Sequence, residues 1–453
     1  MNLNKMQSLN KTRMMKKINL LCIRHLYTIV ISVWVIIAAG YCIRVPIDHI
    51  ADNFWSHVEN TKIIVTQHRL PFPNEGQEAV QMPLYYLLNS LIVPRDIMNN
   101  VIVHINFVKA LSILYGAISL IVIGLFLKEV TNKPGPKLLS LLFIATTPNF
   151  IIIFTMYNND SLEILLSILL SYLSYKLYNK WSWFCAIALF ITTVIALYVK
   201  LTALFSISIV LLLCLIEIFC VKKHILETQR IIITFFISIL FLLPWLVFNN
   251  HKNSGQLILL CPPYSREQPN TNITVNQIKQ LIGITCKISA LQPNKPNYIN
   301  EWDDPWPHTA WYHIHPSTKR YDYWAYTFIS SIIGDATYTN PSVLYIWIIY
   351  WIHLIAYLGG LVKAHVSRIT QLSGFSILLT YLFQILSVIF FLDLPHRSMT
   401  YRYIAWNFAP WAILYTNLLC TKLEFSFILK ILLLIGILIQ VYISFTFIGG
   451  FEY

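Results

Sequence analysis

Two aspartates stand out in a chain that is otherwise poor in acids. Asp52 lies in His49-Ile-Ala-Asp-Asn-Phe-Trp-Ser-His57, and Asp160 in Tyr157-Asn-Asn-Asp-Ser161. Each sits at the edge of a long apolar run, where an uncompensated charge is costly and therefore informative. A carboxylate in such a place can accept the proton that a hydroxyl nucleophile loses on attack, or it can hold a metal ion. The plainer readings are a solvated loop acid for Asp52 and a helix cap for Asn-Asp-Ser at Asp160. His57, five residues after Asp52, suits a hydrogen-bonding partner of that acid better than a metal ligand. With Glu78 it completes no metal-ligand spacing, so a divalent metal stays open.

The elements that position these residues are apolar helices. The chain has 453 residues, 57% hydrophobic and 12% charged, and its mean hydropathy is +0.60. A soluble domain carries roughly 25% charged residues, so a polytopic all-α membrane protein is expected. Apolar runs of membrane-spanning length give about eleven spans. They fall near 25–44, 103–127, 138–156, 161–179, 182–199, 201–220, 231–248, 342–362, 370–391, 403–420 and 426–448.

The net charge of +13 follows a positive-inside pattern, and no basic groove points to nucleic acid. Lys5, Lys11, Arg13, Lys16, Lys17 and Arg24 precede the first run and read as a cytoplasmic N-terminus at 1–24. Loops on the same side carry Lys128, Lys133, Lys137, Lys176, Lys180, Lys222, Lys223, Arg230, Lys363, Arg368 and Lys422. The opposite, outer side then receives the first loop at 45–102, a long loop at 249–341, a short basic loop at 392–403 and a tail at 449–453. Asp52 and Asp160 share that outer side. The stretch at 82–93 is apolar but too short to span, and fits a re-entrant or interfacial helix.

Three cations fall at the same level. Lys109 lies in the outer turn of the second span, Lys200 in the hairpin Tyr198-Val-Lys-Leu-Thr202, and Arg402 beside Arg397 and His396. Each can hold a phosphate at headgroup depth, or simply extend to the interface.

Short motifs follow in order. After Asp52 come Gln81-Met-Pro-Leu-Tyr-Tyr86, Lys109-Ala-Leu-Ser-Ile-Leu-Tyr-Gly116, Pro148-Asn-Phe with Asn158-Asn-Asp160, and Tyr401-Arg-Tyr403 ahead of Pro410. This series resembles the GT-C superfamily of polyprenyl-phosphate-sugar-dependent glycosyltransferases, close to the protein O-mannosyltransferase and lipid A aminoarabinose transferase branch. The resemblance covers mainly residues 25–220, with a weaker echo at 395–420. It implies Asp52 and Asp160 as catalytic acids, and Lys109, Lys200 and Arg402 as ligands of the donor phosphate. It implies a cleft lined by His57, Glu78, Gln81, Tyr85, Tyr86 and Asn159. Asn53 stands where the family commonly has Glu, Met82 where it has Pro, and Gln81 where the aminoarabinose transferases have a phosphate-binding Lys.

The resemblance further implies a plasma-membrane enzyme, or an endoplasmic reticulum one in a eukaryote. It would move a sugar from a lipid-phosphate donor to a glycan, lipid or protein acceptor at the outer face. A transporter or flippase of a lipid-linked saccharide, and a catalytically degenerate scaffold, are the alternatives. The module would comprise 25–248, followed by the loop at 249–341 and helices at 342–448. That loop holds Glu301-Trp-Asp-Asp-Pro-Trp306 and His308-Thr-Ala-Trp-Tyr-His313, which suit either sugar stacking or a small subdomain on the membrane. Cys261 and Cys286 share it and form a disulfide only if that side is oxidising.

Overall fold

The computed structural model describes residues 26–43, 54–72, 75, 79, 81–92, 100–252, 342–362, 368–390, 405–421 and 424–449. Among them every regular element is helical and no strand occurs. The first part of the chain forms α1 (Leu26–Ile43), α2 (Phe54–Gln67), α3 (Leu84–Ile92), α4 (Val101–Val130), α5 (Pro134–Ala145) and α6 (Pro148–Ile153). Next come α7 (Asp160–Asn179), α8 (Trp183–Val199), α9 (Ala203–Ile216), α10 (Ile225–Leu240) and α11 (Leu243–Lys252). The last are α12 (Ser342–Val362), α13 (Arg368–Phe390), α14 (Phe408–Leu419) and α15 (Glu424–Gly449).

Five helical stretches are long and apolar enough to cross a membrane: Leu26–Ile43, Val101–Val130, Ala203–Val221, Ile225–Lys252 and Ser426–Ser444. α5 and α8 are apolar but shorter. Large apolar side chains point outward along them, including Ile36, Phe184, Val247 and Leu438. Water would disfavour such a surface and lipid would not, so this is a membrane protein.

Proline divides two of the apolar runs. The run at 138–156 is two helices, because Pro148 begins α6 after Thr147 leaves the helical conformation. The run at 231–248 breaks at residues 241–242, and Pro244 lies in the first turn of α11. Proline is tolerated there because it lacks only an N–H that would have no intrahelical partner. The first loop also holds more helix than its composition implies: α2 occupies 54–67, and α3 is the expected short helix.

α4 and α7 run parallel. Ser161 donates to Ser112 Oγ (3.2 Å) near their N-terminal ends, and Lys176 reaches Glu129 (3.1 Å) near their C-terminal ends. α8 returns antiparallel beside α7, which brings residues 199–200 back to residues 159–160. At the other end of the bundle, a π-helical turn at Glu217–Val221 closes α9. There the buried Glu217 carboxylate binds Arg368 at the start of α13 and accepts from the Lys223 and His224 amides.

A packed aromatic column crosses the centre. Phe150 and Phe154 of the α6 segment stack edgewise on Trp34 of α1, and Phe150 meets Phe408 of α14 at 5.1 Å. Gly116 of α4 makes room for it. A Cβ there would overlap Trp34 Cη2 and come within 2.8 Å of Phe154. Overpacking a tight core costs about 1–3 kcal/mol. Gly116→Ala is therefore expected to lower the thermal midpoint in detergent. Gly40→Ala and Gly135→Ala, where a Cβ meets nothing within 4 Å, are expected to leave it unchanged.

Candidate functional site

Four segments distant in sequence meet where α4 and α7 begin. Asn159 holds the N-cap position of α7, but its side chain does not cap the helix. It donates instead to Gln81 Oε1 (2.5 Å) and to the Val199 carbonyl (3.4 Å). Gln81 Oε1 also accepts from the Tyr86 hydroxyl (3.2 Å), whose oxygen lies 2.8 Å from His57 Nδ1. Gln81, Tyr86, His57 and Asn159 thus form one hydrogen-bonded chain linking α2, α3, α7 and α8. Tyr85 packs edgewise on Tyr86 and is fully buried.

Asp160 is the first residue of α7, where the helix dipole favours a negative charge. Its Oδ1 pairs with the Lys200 ammonium from the end of α8. The carboxylate side chain is 1% exposed and the lysine 13%. Glu163, one turn further along α7, is equally buried, accepts from Ser167 (2.7 Å), and lies within electrostatic reach of both partners. Three ionisable groups therefore share the start of α7.

Lys109 is also buried, at 3% exposure. Its position is the wall between α1 and α4, beside Cys42, whose thiol points to the Thr155 carbonyl. Ser112, one turn along α4, touches Ser161 next to Asp160. Lys109 has no hydrogen bond or ion pair among the described residues. An ammonium removed from water without a counter-charge is strongly destabilising, so this position favours an anion.

Neutral polar groups surround the charged ones. The Tyr157 hydroxyl lies 3.0 Å from Thr61 Oγ1 and 2.9 Å from His104 Nε2. Residues 57, 60, 61 and 64 share one stripe of α2, the spacing that puts side chains on a common helix face. His57, Gln81, Tyr85, Tyr86, Asn159, Asp160 and Lys200 thus all belong to this region, while Lys109 lies beside Cys42, one helical turn before Ser112. Asp52, Glu78 and Arg402 lie outside the described residues, as do Cys261, Cys286 and the aromatic clusters of the long loop. Asn60, Thr61, His104, Tyr157 and Glu163 were missed by the motif reading. The first two could have been found from their spacing with His57 once residues 54–67 are read as a helix.

Among the described residues, no group of three or more His, Cys, Asp or Glu could hold a metal ion. The five cysteines described, at 42, 185, 214, 220 and 420, are unbonded to one another.

The segment after α2 is clamped on itself and to the end of α11. Arg69 binds both oxygens of Glu75 (2.7 and 2.5 Å), Glu75 also accepts from the Phe72 amide (2.6 Å), and Lys252 at the end of α11 binds the Pro71 carbonyl. Phe72 lies under the Arg69 guanidinium, 4.7 Å from its ring centre.

Compared with known proteins, the chain matches no family model, and no relative is found among curated proteins.

Two outcomes follow from this geometry. Breaking one side of a buried ion pair costs about 3–5 kcal/mol. Lys200→Met is expected to lower stability by that order in thermal unfolding, and adding Asp160→Asn is expected to recover most of the loss. The second concerns acid. The Arg69 hydrogen bonds and the Phe72 amide hold the Glu75 carboxyl at about 2, against an ordinary 4.5, despite an opposing contribution from desolvation. A depressed carboxyl stabilises the clamp above its unfolded value and stops doing so as pH falls through its folded one. Pepsin cleavage after α2 is therefore expected to rise from pH 4.5 towards 2 in the native protein. In Glu75→Gln it is expected to be fast throughout.

Proposed function

We propose that this protein is a membrane glycosyltransferase of the GT-C type. It would transfer a sugar from a polyprenyl-phosphate donor to an acceptor at the extracytoplasmic face. The observation that supports this most is the meeting of Gln81, Tyr86, Asn159, Asp160 and Lys200 in one buried polar cluster. Gln81, Tyr86, Asn159 and Asp160 belong to the ordered short motifs, and contact across 78 sequence positions between Gln81 and Asn159 is not implied by any single motif.

The reaction needs three provisions. An acceptor hydroxyl oxygen attacks the anomeric carbon and forms the new glycosidic bond. The bond from that carbon to the phosphate oxygen breaks, and its electron pair stays on the phosphate. The hydroxyl proton passes to a carboxylate. Asp160 is already engaged by Lys200, so Asp52 is the proton acceptor in this reading. Asp160 and Lys200 then act as a rigid, nearly neutral unit that shapes the start of α7. Of the two proposed cations among the described residues, Lys109 is the one without a counter-charge, and it would stabilise charge on the leaving phosphate. Lys200 holds Asp160, and Arg402 would serve the same phosphate in this reading.

In this reading about eleven apolar segments span the plasma membrane, with the N-terminus cytoplasmic and the loops at 45–102, 249–341 and 392–403 outside. A flippase or transporter would place charges along a path through mid-membrane. The interiors of α4, α7, α9, α12 and α13 carry buried Ser, Thr, Gln and His side chains in the described residues, while the charged side chains cluster towards helix ends.

Steady-state transfer from a labelled polyprenyl-phosphate sugar separates these roles. Lys109→Ala is expected to raise KM for the donor and lower kcat, since the cation meets phosphate in both ground and transition states. Asp52→Ala is expected to lower kcat by at least about 100-fold, the scale of general-base contributions, and Asp160→Ala is expected to lower it by leaving the Lys200 charge unpaired at the start of α7. Transfer by both aspartate variants at the wild-type rate would rule the enzyme reading out.

A further inference from the structure

Asn60 is 1% exposed, and neither its carboxamide oxygen nor its nitrogen has a hydrogen-bond partner among the described residues. It stands beside Thr61 on the buried stripe of α2 that carries His57. At the far end of the chain Thr61–Tyr157–His104, the imidazole of His104 is also 1% exposed, and its Nδ1 has no partner either. One orphaned group thus ends this short polar run, and the other belongs to the residue next to Thr61 at its opposite end. Buried polar atoms in native proteins are almost always satisfied, and an exception calls for an explanation such as a bound molecule.

The donor and acceptor character of these atoms limits what that molecule can be. An amide offers one acceptor and two donor hydrogens in a fixed plane. A hydroxyl both donates and accepts, so two neighbouring hydroxyls match an amide in a bidentate way. Carboxylate lacks the donor and ammonium lacks the acceptor. A charged ligand would in addition need a counter-charge in this buried stripe, whose side chains are amide, hydroxyl, phenol and imidazole. The charges nearest in sequence, Glu59 and Lys62, pair with each other on the exposed face of α2, Lys109 lies beside Cys42, and Asp160 and Lys200 neutralise each other.

We infer that the Asn60 carboxamide, aided by His104, reads a vicinal diol on an uncharged sugar carried by the lipid phosphate. This rests on the glycosyltransferase reading and deepens it: the transferred group would be a neutral hexose or pentose, rather than a uronic acid or an amino sugar. Asn60 is a specificity-determining residue that leaves phosphate recognition untouched.

The test measures binding by the purified full chain in detergent, with farnesyl phosphate and its glucosyl, mannosyl, glucuronyl and aminoglucosyl derivatives as probes. The wild type is expected to bind at least one neutral glycosyl probe about 10-fold more tightly than farnesyl phosphate, the order of one or two net hydrogen bonds. The glucuronyl and aminoglucosyl probes are expected to show no such gain. Removing one hydroxyl at a time from the preferred probe is expected to abolish the gain at two adjacent positions. This reads the same hydrogen bonds without altering the protein. In Asn60→Leu the neutral sugar is expected to add nothing, farnesyl phosphate is expected to bind as in wild type, and the melting temperature without ligand is expected to be equal or higher.

A sugar-dependent gain that survives Asn60→Leu, or that no single deoxygenation removes, would overturn the inference while leaving the glycosyltransferase reading standing. A lower melting temperature for Asn60→Leu with unchanged probe affinities would do the same and assign the amide to structural water. Failure of the wild type to bind any probe, farnesyl phosphate included, would remove both.

Discussion

The buried pair between Asp160 and Lys200 is the constraint on which the rest of the site depends. Placing both charges in an apolar bundle costs solvation free energy on each side, and only close pairing offsets it. The pair can form only if the end of α8 returns to the start of α7, so it sets the geometry of the α7–α8 hairpin. Asn159 is then held next to Val199 with its amide pointing at Gln81, which draws α3 onto the same corner. Through Tyr86 and His57 the connection reaches α2. One electrostatic requirement thus propagates as hydrogen bonds into four elements.

The opposite end of the bundle uses a different solution to the same problem. Glu217 is buried at the close of α9 and meets Arg368 across 151 sequence positions, with backbone amides satisfying its other lone pairs. Lys176 and Glu129 make an exposed pair nearby, and such pairs contribute little. The membrane-crossing middle is left to apolar packing, with neutral exceptions such as His353 against Tyr415, and Gln440 between Thr146 and Thr147. Charge towards the two ends and neutrality between them is the distribution expected of a bundle that crosses a membrane.

How much of this was legible in the sequence varies with its physical cause. Asp160, Lys200, Gln81 and Asn159 were readable because polar residues beside apolar runs are costly and so stand out. The divisions at Pro148 and Pro244 were also within reach, since proline ends or begins helices, yet hydropathy alone carries an apolar run straight across them. α2 was hidden because its residues, Phe-Trp-Ser-His-Val-Glu-Asn-Thr, are neither apolar enough for a span nor strongly periodic. Its helical character follows from packing against α3 and the Tyr157 turn, which no local pattern displays. His104, Tyr157 and Glu163 were missed for a related reason. Each looks like an ordinary core or helix residue until tertiary contacts reveal its partners. The Glu217–Arg368 pair belongs to the same class.

The central claim is that this membrane surface breaks the bond between a sugar and a lipid phosphate. The most direct measurement follows the fate of a doubly labelled polyprenyl-phosphate hexose incubated with the purified protein in liposomes. Release of free polyprenyl phosphate, matched mole for mole by labelled sugar on an acceptor or in water, is the expected result. Passage of the intact labelled lipid across the bilayer with no bond cleavage would contradict the claim and favour a flippase.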